Sequence, residues 1–235
     1  MPAAGYPTSS NGASSFHLHW GGLPAGAPLV EVGATLEVLV PPAVPELYFW
    51  AIQATFLERG RERGGAHLGL QWYPRHPGST AVNWGGYDRG GRELRGTASP
   101  LPSATGNPNT RDWRWEPGRP VRLAVRAAGG GEWAGLVDGT EVRRLHCAGD
   151  RLGHPMVWSE VFARCDDPSV VVRWSRFEAT TADGRTLSPD RALVTYQQEA
   201  EGGCTNTTVR PDGDGVLQVT GAPREVPRGT VVPLR

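Results

Sequence analysis

Apolar residues recur at every second position over short stretches of this chain, and seldom at helical spacing. In residues 46–57, Tyr48, Trp50, Ile52, Ala54 and Phe56 alternate with Phe49, Gln53 and Thr55. In residues 66–73, Ala66, Leu68, Leu70 and Trp72 alternate with His67, Gln71 and Tyr73. Successive side chains of a strand point to opposite faces, so this rhythm predicts β-strands with one apolar face. Glycine (32 residues) and proline (21 residues) break nearly every window long enough for a helix. The predicted strands are residues 15–20, 30–40, 46–57, 66–73, 80–87, 121–127, 133–137, 142–145, 156–165, 169–179, 193–198, 205–209 and 216–220. Many short strands between turn signals predict an all-β, two-sheet antiparallel β-sandwich.

The same alternation sorts side chains by face. In residues 80–87, Val82 and Trp84 point inward, and Asn83 and Tyr87 outward. In residues 156–165, Val157, Val161 and Ala163 point inward. Trp158, Glu160, Phe162 and Arg164 lie opposite them. If these strands share a sheet, its outer face carries Gln53, His67, Gln71, Tyr73, Asn83, Tyr87, Trp158, Glu160 and Arg164. Amides and carboxylates can take the paired hydroxyls of a polyhydroxylated ligand. Aromatic rings can cover the C–H side of a sugar. Trp158 and Tyr87 are therefore expected to stack, and Gln53, Gln71, Asn83 and Glu160 to hydrogen-bond. Arg164 is expected to orient Glu160 or to take an anionic substituent. Two structural alternatives stand beside this. A one-residue register slip would swap the faces. The polar groups could also be satisfied under the irregular segment 89–120, with Glu160 and Arg164 as a structural ion pair.

Composition narrows the chemistry. The chain has 235 residues and no net charge, so no strong field draws it to nucleic acid or an anionic membrane. It contains no lysine, which removes Schiff-base and P-loop lysine chemistry. No apolar run reaches the length of a membrane-spanning helix. The N-terminus lacks the basic and apolar regions of a signal peptide, which predicts a cytosolic protein; a secreted one with its leader removed is the alternative. Three cysteines without CxxC spacing read as mostly buried free thiols, with a Cys165–Cys204 bridge as the alternative.

The segments FWAIQATF, GGAHLGLQWYPRHPGSTAVNWGGY and MVWSEVFARCDDPSVVVRWSRFEA resemble uncharacterised actinobacterial proteins. Those are similar to the concanavalin A-like lectin/glucanase jelly-roll superfamily. The resemblance covers residues 47–179 and rests on strand pattern. It implies two curved antiparallel sheets with a carbohydrate-binding concave face. The glucanase ExDxxE signature is absent, and Glu160 stands alone on its face, whereas retaining hydrolysis needs two carboxylates. Jelly-roll lyases instead use amides and an arginine to neutralise a uronate, with a histidine or tyrosine as base. Gln53, Gln71, Asn83, Arg164, His67, Tyr73 and Tyr87 match those roles by residue kind, although the QIH and RxEL motifs are absent.

The expected organisation is a flexible segment over residues 1–14 and one sandwich domain over 15–235. Its core covers about residues 15–180, with the strands of 193–235 packed on it. The primary expectation is glycan binding on one sheet face. A lyase-like enzyme with His67 or Tyr73 as base is the alternative, and a non-catalytic self-association scaffold the second. No cofactor is expected, although Asp166 and Asp167 could hold calcium beside the sheet. His17 and His19 share one face of the first strand and read as strand-surface residues, because no third metal ligand accompanies them.

Overall fold

A computed structural model describes residues 4–234. The strands are β1 (Ser14–Gly21), β2 (Leu29–Val40), β3 (Tyr48–Glu58), β4 (Arg61–Trp72), β5 (Thr80–Asp88), β6 (Thr110–Asp112), β7 (Val121–Gly129) and β8 (Glu132–Val137). They continue as β9 (Thr140–His146), β10 (Arg151–Val161), β11 (Val171–Thr181), β12 (Thr186–Leu187), β13 (Arg191–Tyr196), β14 (Thr207–Asp212), β15 (Gly215–Thr220) and β16 (Val231–Pro233). Every recorded strand pairing is antiparallel.

The pairings fall into two layers. The front layer runs β16–β13–β1–β10–β3–β4–β5–β6. The back layer runs β14–β15–β11–β2–β7–β8–β9, with β12 hydrogen-bonded to β11. One register pair, Leu152 opposite Leu29, joins the layers at a corner. This is an antiparallel β-sandwich.

Alternation fills the space between the layers. Trp50, Ile52, Leu68, Leu70, Val82 and Trp84 come from the front, and Val32, Leu36, Leu123, Val125 and Trp174 from the back. Phe56 stacks on Trp133 at 4.4 Å between centroids. Gly135 on β8 makes room for Trp84, because a Cβ there would lie 2.7 Å from the indole. A buried amide ties this core together. Gln218 accepts from Ser159 (2.7 Å) and Trp174 (2.9 Å) and donates to the Phe16 carbonyl (2.9 Å). Bonds at both its oxygen and its nitrogen make burial of the amide tolerable.

Three expectations need correction. The strand predicted over 156–165 runs from Arg151 to Val161 instead. A turn follows, closed by the Arg164 amide donating to the Asp167 carboxylate at 2.8 Å. Arg164 therefore leaves the face that carries Glu160. The thiols predicted to be free include a bonded pair, Cys165–Cys204, and only Cys147 is free. Finally, β6, β12 and β16 were not expected. At two or three residues each, they are too short for an alternation signal.

The segment expected to be flexible, residues 1–14, is hydrogen-bonded to the sandwich over its described part, while residues 1–3 lie outside the described residues. Gly5 donates to Asp166 (3.0 Å) and accepts from the Cys165 amide (2.8 Å). Thr8 donates to the Gly202 carbonyl at 3.0 Å. The irregular segment 89–120 wraps the edge of the front layer. It buries Leu94 and Trp115 in the core and contributes β6.

Candidate functional site

The outer face of the front layer, turned away from the core, carries the candidate chemistry. Register lines its residues up in rows across the strands. One row runs Leu193, His19, Met156, Gln53, His67 and Gly85. The next runs Thr195, His17, Trp158, Ala51, Gly69, Asn83 and Thr110. A third runs Ser15, Glu160, Phe49, Gln71, Ala81 and Asp112. Gln53, His67, Gln71, Asn83, Trp158 and Glu160 thus share one face of one layer.

The floor is an aromatic cluster. Trp158 meets Phe49 edge-on at 5.0 Å, His67 at 5.6 Å and His17 at 6.4 Å. Phe49 meets His67 at 5.5 Å. Small residues beside it let the backbone come close. At Gly69 a Cβ would sit 2.0 Å from the Trp50 carbonyl oxygen. Beside this cluster opens a cavity of about 400 Å³, lined by His17, His19, Gln53, Met156, Thr195 and Glu201 among others.

Gln53 has a defined orientation. Its Oε1 accepts from the Trp158 indole Nε1 at 3.0 Å. An indole N–H can only donate, so the amide oxygen must face it. The two N–H donors of Nε2 are thereby turned away from Trp158. The imidazoles beside Gln53 are uncharged near neutrality. Burial pushes His67 down to about 4. Burial, helped by His19, does the same to His17, also to about 4. Burial and the nearby His154 lower His19, whose Nε2 lies 3.0 Å from the Thr195 hydroxyl.

Glu160 stands at the far end of the face. It lies four residues along β10 from Met156, about 13 Å at normal strand rise. Burial raises its carboxyl above the ordinary range, against a lowering bond from Asn11, whose Nδ2 donates to Oε1 at 2.8 Å. The residue opposite Gln53 on β10 is Met156. No carboxylate therefore adjoins the Gln53 donors on either neighbouring strand, where Met156 and His67 stand.

Other expected residues are engaged elsewhere. Gln71 is 8% exposed and its Oε1 bonds His76 Nε2 at 3.1 Å. Asn83 is 7% exposed and donates to the Thr110 hydroxyl of β6 at 2.9 Å. Trp158 is 6% exposed and packs against Phe49, His67 and His17, so it offers little surface for stacking. Tyr73 lies past the end of β4, edge-on to His76 and beneath Arg75. Tyr87 is exposed and sits opposite Gly65, toward the other end of β4. Arg164 pairs with Asp166 at 3.1 Å and lies over Tyr6, so it does not orient Glu160. Asp166 also accepts from the Gly5 amide, and Asp167 from the Arg164 amide. Among the described residues no group of three histidine, cysteine or acidic side chains is placed to hold a metal.

His17 and His19 are the residues that sequence reasoning set aside and the structure brings to the cavity. Their shared face was legible from Phe16 and Leu18, but their neighbours β10 and β13 are distant in the chain.

No protein-family model matches the chain, and no curated protein matches it. Solved structures do. One is scytalido-glutamic peptidase bound to a peptide-based transition-state analogue, at 11% identity and TM-score 0.47, covering 93% of this chain and 98% of that one. Another is SCP-B, a member of the Eqolisin family of peptidases in complex with the tripeptide Ala-Ile-His, at 10% identity and TM-score 0.45, with the same coverage. The β-porphyranase of the human gut bacterium Bacteroides plebeius matches at 8% identity and TM-score 0.29, covering 58% of this chain and 53% of that one. The similarity is one of general sandwich arrangement, and no functional residue is carried over from it.

Proposed function

We propose that the outer face of the front layer binds an uncharged, hydroxyl-bearing ligand, with carbohydrate as its class. The observation that carries this reading is the pinned amide of Gln53. Its two N–H donors stand beside a cavity lined by neutral imidazoles, a thioether and hydroxyls, together with Glu201 and Arg228. These donors and acceptors, with one carboxylate and one guanidinium of opposite sign, suit a ligand that hydrogen-bonds through hydroxyls and carries no net charge. The binding role expected of Gln71 and Asn83 passes to Gln53, His17, His19 and Thr195, since the first two have protein partners.

An elimination enzyme has less support. The cavity beside Gln53 is lined by neither His67, which packs on Phe49 and Trp158, nor Tyr73, which lies past the end of β4, so neither is placed as a base there. The arginine that would neutralise a uronate is bonded to Asp166. The Cys165–Cys204 bridge supports an oxidising compartment over the cytosolic setting.

The test is binding of the purified chain to a panel of neutral and uronate-containing polysaccharides. A neutral hit lost in Gln53→Ala and kept in Gln71→Ala is the expected result. A blank panel, or a hit indifferent to Gln53→Ala, would overturn the reading.

A further inference from the structure

The turn before β1 folds back over the outer face. Ser9 Oγ accepts from the Ala13 amide at 3.0 Å and donates to the Ala13 carbonyl at 2.6 Å, closing the loop. Asn11, at its tip, reaches Glu160 Oε1 at 2.8 Å. Asn11 precedes Ser15 by four residues, and Ser15 stands opposite Glu160 in the β1–β10 pairing. The turn therefore doubles back over the end of the face.

The segment is seated at its other side too. Thr8 donates to the Gly202 carbonyl, and a Cβ at Gly202 would lie 2.2 Å from the Ser9 nitrogen. Gly202 also has φ of +82°, a conformation suited to glycine. It directly follows Glu201, which lines the cavity beside Gln53. The strap formed by residues 4–13 thus touches both the Glu160 end and the cavity rim.

We infer that the tip of this turn, residues 10–12, forms a releasable cap, with the Asn11 side-chain amide occupying a Glu160 subsite that takes a donor group of the ligand. The inference rests on the carbohydrate reading for the nature of that group, a ligand hydroxyl. Three observations support release. Asn11 contacts the face through its side chain, and its bond to Glu160 is solvent-exposed. The tip of the turn, residues 10–12, is exposed and buries no apolar side chain. Glu160 has no other recorded hydrogen-bond partner among the described residues, so a ligand donor would replace Asn11 one for one. Burial raises the Glu160 carboxyl above its ordinary range and the Asn11 donor works against that rise, as a ligand donor in its place would.

The experiment has two arms. The first needs no ligand: amide hydrogen exchange of the parent and of Asn11→Ala. Asn11→Ala also removes the Oδ1 contacts to the Ser9 hydroxyl and the Ala13 amide, so Glu160→Ala, which removes only the Glu160 bond, is run beside it. In both variants exchange should speed about tenfold or more at Gly12, whose amide closes the turn on the Ser9 carbonyl, while β1 and β10 stay protected. Unchanged exchange, or loss of protection throughout the front layer, would overturn the cap. The second arm titrates cellohexaose into the parent and Asn11→Ala. Asn11→Ala should bind about tenfold more tightly, and the Asn11 side-chain amide resonances of the parent should move on saturation. Equal or weaker binding by the variant, with those resonances unmoved, would overturn the subsite. If neither protein binds cellohexaose or any other panel member, the carbohydrate reading fails, and the exchange arm still decides whether the tip is a cap.

Discussion

The indole Nε1 of Trp158 donates to Oε1 of Gln53 at 3.0 Å, across the β10–β3 pair. The two residues are not directly opposite: Gln53 faces Met156, and Trp158 faces Ala51. The long indole spans one diagonal, which cross-strand neighbours of this size can reach. The bond does two things. It satisfies a donor in a nearly buried ring, and it fixes which end of the Gln53 amide turns toward the cavity.

Trp158→Phe tests that relationship. Phenylalanine keeps an aromatic ring against Phe49 and His67 but removes the N–H. Losing one neutral hydrogen bond should cost about 1 kcal/mol of stability, read by urea denaturation. The Gln53 amide should also turn freely, so its Nε2 proton signals should move toward those of a free glutamine side chain, and binding to the neutral hit should weaken. Unchanged binding with unmoved Nε2 signals would show that packing alone orients Gln53.

The Cys165–Cys204 bridge closes a loop with a sequence separation of 39. Replacing both cysteines by serine should lower stability by about 3–4 kcal/mol, the range for a loop of that length. The bridge also fixes Cys165, whose amide holds the Gly5 carbonyl. The variant should therefore show faster exchange at the strap as well. Denaturation of the parent with and without dithiothreitol supplies the matching comparison. Cys147→Ser should change little by this measure, because Cys147 closes no loop.

Acid should weaken the fold through the histidines of the outer face. His17 and His67 titrate near 4 when folded, below the ordinary value of 6.5 that they regain on unfolding. Below 6.5 the unfolded chain takes up protons that the folded chain refuses. The stability present above pH 6.5 is therefore lost progressively as pH falls toward 4. Urea midpoints at several pH values should slope downward across that window. His67→Phe should flatten the slope, and an equal slope in that variant would exclude His67 as its source.

Much of the outer face was legible along the chain. Gln53, His67, Gln71, Asn83, Trp158 and Glu160 were sorted to one side by alternation alone, and the structure places them there. The strand period of two allows this, because each apolar partner buried on one side forces its neighbour to the other. Arg164 escaped the argument because β10 ends at Val161, and Arg164 opens the turn of residues 164–167 that follows. Alternation carries no information past a strand end. The engagement of Gln71 by His76 and of Asn83 by Thr110 also lay beyond it, since His76 sits in a turn and Thr110 on β6, a strand too short to show alternation.

The sequence by itself determined the all-β character of the protein, the span of most strands and the side of each strand that faces the core. These are local consequences of side-chain spacing and of glycine and proline placement. Only the tertiary structure decided which strands are neighbours. It set β1 between β10 and β13, and so carried His17 and His19 to the cavity beside Gln53. It also joined Cys165 to Cys204 and laid Asn11 on Glu160. Glu160 is 149 residues from Asn11 in the chain. Contacts at that range depend on how whole layers pack, and the period of a single strand does not encode them.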